Sequence, residues 1–151
     1  CPNNFGKNYW REDARHHPYN LFEGKMNEVA VKAAREVMNR HIESLNSLDE
    51  DGLAGTLHFP HYRLVGAKLD CWQSKETYLT DFRVRAGDNW ARSVWKSIKV
   101  EQSSPDKVHL LAHIVRYDNN NKTIADFESL WVITAIEGKW AAQFRSSFAS
   151  A

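Results

Sequence analysis

The sequence predicts an α+β domain in which a strongly curved antiparallel sheet is crossed on its concave face by N-terminal helices. Three observations carry this expectation. Over residues 26–48 apolar side chains recur every three or four positions, the spacing of a long helix with one buried stripe. Over residues 90–149 four long runs alternate between apolar and polar, the period of half-buried strands, and turn-forming clusters separate them. Helices that precede antiparallel strands bury their stripes together on one sheet face. A curved sheet closed in this way forms a cone, which is a natural pocket.

At 151 residues the chain supports a single hydrophobic core, so an irregular arm over residues 1–24 and one domain over 25–151 are expected. Apolar residues at 42% and charged residues at 26% are ordinary for a soluble protein and argue against disorder. No apolar run approaches the roughly 20 residues that a membrane helix needs. The net charge of +1 comes from Lys and Arg scattered among acids, which gives no basic stripe, so nucleic acid is not an expected partner. Cys1 and Cys71 stand too far apart in sequence to form a metal cluster alone, and no His or acid pair has ligand spacing. Neither a metal nor another cofactor is expected. A cytoplasmic protein is expected, and a Cys1-Pro2 start is read as that of a fragment, with a processed lipoprotein the alternative.

Taken in order, the arm carries Pro2, Gly6, Pro18 and Gly24 without a sustained period, and its aromatics Phe5, Tyr9, Trp10, Tyr19 and Phe22 suggest that part of it drapes over the domain or a partner. The first helix follows, with Met26, Ala30, Ala33, Val37, His41 or Ile42, Leu45 and Leu48 on its buried stripe. Asp49 can cap a short second helix that Gly52 and Gly55 weaken. Residues 62–65 and 68–72 read as two short strands around Gly66-Ala67, with Pro60 tolerated only at the leading end. Ser74 opens a third helix with Tyr78, Leu79, Phe82 and Ala86 on one face, and Gly87 ends it. Residues 90–101 and 107–117 then alternate, and residues 123–149 form a closing hairpin around Glu137-Gly138. On its second arm Trp140, Ala142, Phe144, Ser146 and Phe148 share one side, while Ala141, Gln143, Arg145 and Ser147 share the other.

This element order, with LHFPHYRL after the helical pair and EGKWAAQFRSSFA as the closing strand, resembles the nuclear-transport-factor-2-like superfamily, including its SnoaL-like branch, over residues 26–149. The resemblance implies a cone-shaped pocket and a homodimer formed through the sheet. Its activities range from steroid isomerases, dehydratases, epoxide hydrolases and cyclases to non-catalytic assembly domains, so it leaves function open. Ketosteroid isomerases place an Asp base before a Pro, where this chain has Phe59 before Pro60. Registering the GKW turn on the superfamily's kinase association domains, which line their pocket with arginines, turns Arg145 inward.

Arg145 lies among apolar neighbours on a central strand, where its charge requires a carboxylate, a ligand anion or water. Ser129 and Trp131 share a face of the preceding strand and are assigned to the ligand pocket, with core packing the alternative for Trp131. Tyr78, Phe82 and Trp95 supply its apolar wall. His58 and His61 bracket Phe59-Pro60 at the mouth of the cone, and His113 lies in a central strand. His58 and His113 are the candidate acid or base, since imidazole titrates near neutrality, and His61 is a candidate ligand contact. Two readings follow: a binding protein for a small apolar or aromatic ligand, with cofactor-independent isomerase, dehydratase or cyclase activity left open, and a non-catalytic dimeric assembly or sensing module.

Overall fold

The computed structural model describes residues 21–85 and 89–149, with side chains described over 27–84 and 89–149. The first helix, α1 (Leu21–Asn46), begins inside the stretch expected to be irregular, and the rest of that arm lies outside the described residues. Its buried stripe is Ala30, Ala34, Val37, Met38 and His41, which follows the helical period and places two alanines where the helix meets the sheet. Ala34 replaces the expected Ala33 in that stripe, and Leu48 leaves it at 61% exposure. The helix ends at Asn46, and Leu48 takes a left-handed φ of 57°.

Asp49 begins α2 (Glu50–Gly55) by accepting the Gly52 amide at 3.0 Å. The chain then enters β1 (Leu57–Val65), turns at Gly66 (φ 57°) into β2 (Lys68–Trp72), and continues through α3 (Lys75–Arg85) to β3 (Arg92–Ser103), β4 (Lys107–Tyr117), β5 (Thr123–Ile136) and β6 (Lys139–Ser147). β1 begins at Leu57 rather than near Tyr62. Its pairing with β6 is irregular between Leu57 and Tyr62, the stretch that holds Pro60, a residue unable to donate to a ladder.

The six strands form one sheet in the order β2-β1-β6-β5-β4-β3, antiparallel throughout except for the parallel pair β1 and β6. The closing hairpin turns at Glu137 (φ 51°) and Gly138 (φ 78°), two left-handed residues that match the twist of paired strands. Bulges interrupt β3 between Trp95 and Ser97 and between Val100 and Gln102, adding curvature where α1 crosses.

A further bulge corrects the expected faces of β6. Ile133 pairs with Ala142 while its neighbour Val132 pairs with Phe144, so Gln143 is an extra residue and the faces exchange across it. Ala142 and Trp140 pack on the core under the helices; beyond the bulge Arg145 and Ser147 point inward, and Phe144 and Ser146 point out. The core itself is the α1 stripe, Leu53, Ala54 and Leu57 against Val108, Leu110, Ala112, Trp131, Ile133 and Ala142, at the end of the cone nearest the hairpin turn.

Candidate ligand-binding site

At the other end of the concave face the core gives way to a cavity of about 320 Å³ between α1, α3 and the sheet. Strand alternation decides what enters it. On β4 the phase that buries Leu110 and Ala112 carries Ile114 and then Arg116 to the cavity; on β5 the same phase brings Phe127, Ser129 and Trp131. Arg63 of β1 is the register partner of Arg145 of β6, so both guanidinium groups face the same space.

Three arginines, Arg63, Arg116 and Arg145, therefore line one cavity, and no Asp or Glu stands among the described residues of its wall. Arg63 also meets Asp70 at 3.3 Å, on the neighbouring strand. Arg145 lies with its guanidinium carbon 5.1 Å from the Trp131 ring centre, a cation–π arrangement. Tyr78, Phe82, Trp90, Trp95, Phe127 and Trp131 supply the apolar wall. Tyr78 and Phe82 stack with rings 6.5 Å apart, and Trp95 meets Trp131 edge to face at 5.7 Å.

The polar lining is held from behind. Ser147 Oγ accepts from Ser129 Oγ at 3.0 Å and from the Ala149 amide at 3.1 Å, which leaves its own proton to donate. Asn46 clamps the end of α1 to β3, donating to Ser93 O at 2.8 Å and accepting from Ser93 N at 2.7 Å. Trp95 Nε1 donates to Met38 O at 2.9 Å and fixes the middle of the helix to the same strand. Between these two ties His41 reaches the cavity, buried, with its ring 5.0 Å from that of Trp131. Its Nδ1 lies 2.8 Å from Thr56 Oγ1. Burial, then the positive charge of Arg145, then the electrostatic influence of His61 hold its pKa well below the usual 6.5.

Six of the expected ligand contacts, Arg145, Ser129, Trp131, Tyr78, Phe82 and Trp95, come together around this cavity. The three histidines expected at the site, His58, His61 and His113, stand outside its wall. His58 Nε2 donates to Thr134 O at 2.9 Å, which ties its ring to the sheet. His61 is fully buried, donating from Nδ1 to Ala142 O at 3.0 Å and stacking on Trp72. His113 belongs to the outward phase of β4 and meets Asp126 there. Between Leu57 and Tyr62 the irregular ladder breaks the alternation that would set which way His58 and His61 face.

His41, Arg63, Ser93, Arg116 and Ser147 are the polar lining residues that sequence reasoning left out of the site. Three of them had a signal, Ser147 because alternation puts it on the face of Arg145. His41 is a titratable residue on an otherwise apolar helix stripe, and Arg116 continues the inward phase of β4. Arg63 had none, since its orientation depends on a parallel pairing between strands far apart in sequence.

No family model matches the sequence, and no curated protein matches it. Solved structures do. A protein of unknown function with a cystatin-like fold from Nostoc punctiforme aligns with a TM-score of 0.65 at 15% identity, over 78% of this chain and 89% of its own. A nuclear-transport-factor-2-like protein of unknown function from Shewanella oneidensis aligns with a TM-score of 0.66 at 10% identity, over 79% and 98%. One with a cystatin-like fold from Novosphingobium aromaticivorans aligns with a TM-score of 0.66 at 15% identity, over 88% and 92%. At such identities the likeness is one of fold.

Proposed function

From the nuclear-transport-factor-2-like fold of this chain, we propose that it is a small-molecule-binding protein whose cone takes an apolar, ring-containing ligand with an anionic oxygen at Arg145. The observation that carries this reading is the cavity wall, with three arginines, six aromatic rings and no carboxylate among the described lining residues. A guanidinium group makes charge-assisted, bidentate hydrogen bonds to a carboxylate, so this wall suits an anionic oxygen. The rings match the rest of such a ligand, and the volume is that of an ordinary ligand pocket.

The alternative is a non-catalytic assembly or sensing module whose cavity is packed shut by Trp95 and Trp131. Those two rings stand at the cavity wall with open space beside them, which favours the ligand reading. Assembly remains compatible with it: the outward phase of the sheet carries half-exposed Leu111, Leu130, Val132 and Phe144, a surface suited to a second copy. Any turnover would be proton transfer without a cofactor, on a ligand held by Arg145.

The test is a thermal-shift and calorimetric comparison of benzoate-type carboxylates with neutral analogues, on wild type and Arg145→Ala. Carboxylates raise the wild-type Tm, because binding to the native state alone stabilises it. Arg145→Ala weakens their binding by roughly tenfold or more, in line with the loss of a charged hydrogen bond. Its unliganded Tm stays near that of wild type. Neutral analogues binding as tightly as carboxylates, or equal loss of stability and affinity in the variant, would count against the reading.

A further inference from the structure

The cavity is rich in donors: arginine has no acceptor, and Ser147 has a proton left to give. His41 adds a nitrogen acceptor to it, and its tautomer follows from the hydrogen bonds behind it. Thr56 Oγ1 donates its single proton to Leu53 O at 2.7 Å, so toward His41 Nδ1 at 2.8 Å the hydroxyl can only accept. Nδ1 therefore carries the ring proton and Nε2 the lone pair. Thr56 is itself buried, and its carbonyl accepts the Ala142 amide at 2.8 Å, so the element that sets the tautomer is tied to β6. Arg145 and His41 both flank the Trp131 ring, at 5.1 Å and 5.0 Å, so one ligand lying along that indole meets a cation and a neutral acceptor.

Resting on the anion-binding reading above, we infer that His41 is a specificity-determining residue whose Nε2 accepts a hydrogen bond from a hydroxyl of the ligand. The favoured class is thus a hydroxylated ring carboxylate, and the Thr56–Leu53 pair enforces the choice by holding His41 in the Nδ1–H form. Nothing on this cavity wall other than His41 combines a lone pair on nitrogen with a fixed partner on the opposite side of its ring. A ligand bearing an ether in place of the hydroxyl would set two acceptors against each other and lose affinity.

The experiment is isothermal titration of three matched probe sets: benzoate, the ortho, meta and para hydroxybenzoates, and their methyl ethers. It is run on wild type, His41→Gln, His41→Phe and Thr56→Val. In wild type at least one hydroxybenzoate binds roughly fivefold to tenfold more tightly than its methyl ether, the range of one net hydrogen bond. His41→Phe abolishes that ratio, and His41→Gln, which keeps an acceptor oxygen, retains part of it. Thr56→Val removes the acceptor that holds the proton on Nδ1, and the ratio falls toward one, a change that a merely structural role for Thr56 would not produce. Because each ratio is taken within one protein, a variant that folds poorly does not obscure it, and the wild-type ratio alone can overturn the inference. Equal affinities for hydroxybenzoate and ether, with benzoate still bound, would overturn the role of His41 and leave the anion site standing. Failure of every carboxylate to bind would overturn both.

Discussion

At the scale of the residue, His41 ties the chemistry of the cavity to the stability of the fold. Its pKa in the folded protein lies well below 6.5, chiefly through burial and then through Arg145. As pH falls through about 6.5 the unfolded chain takes up a proton that the folded chain refuses, so the unfolded state binds more protons. The resulting stability is fully present above about 6.5 and is lost progressively below it until the folded pKa is reached. Urea unfolding at about pH 7.5 and about pH 5.5 should therefore show a smaller acid loss for His41→Gln than for wild type. An equal loss would assign the acid sensitivity to other groups. The sequence places His41 on the buried stripe of a helix; its meaning came from Thr56 and Leu53, which belong to the next helix and its end.

At the scale of the element, α2 separates two glycines that look alike in sequence. Both were expected to weaken this helix, and only Gly55 stands in open space, so Gly55→Ala should raise stability by about 0.5–1 kcal/mol through helix propensity and unfolded-state entropy. A Cβ on Gly52 would lie 2.4 Å from Asp49 Oδ2 and 2.6 Å from Ser44 Oγ. Relieving that contact displaces the cap, so Gly52→Ala should lower stability by about 0.5–2 kcal/mol. Thermal unfolding of the two variants checks both signs, and a stabilised Gly52→Ala would show that the cap contributes little. The same scale explains the face of β6. Alternation alone put all of its aromatics on one side, and a single extra residue at Gln143 exchanged the faces midway, leaving Arg145 inside and Phe144 outside.

At the scale of the whole molecule, the two faces of the sheet differ. The concave one holds α1 and the cavity, and the outer one presents Leu111, Leu130, Val132 and Phe144 half-exposed, beside Phe148 at 83% exposure. An apolar sheet face of that kind predicts self-association. Sedimentation equilibrium should find a dimer, and Leu130→Lys, on the outward phase of the central strand β5, should shift it toward monomer while leaving carboxylate binding intact. A wild type that stays monomeric at every concentration would remove the dimer from the reading. Within this molecule, hydrophobic period and turn chemistry determined the long helix, the capped short helix and the four-strand meander, because those signals are local: each depends on residues within a few positions of one another. The tertiary structure alone decided that β1 runs parallel to β6 and aligns Arg63 with Arg145, that Gln143 is bulged, and that Thr56 holds the proton of His41 in place. Each of those depends on pairing between distant segments, and a one-residue change of register moves a side chain from one face of the sheet to the other.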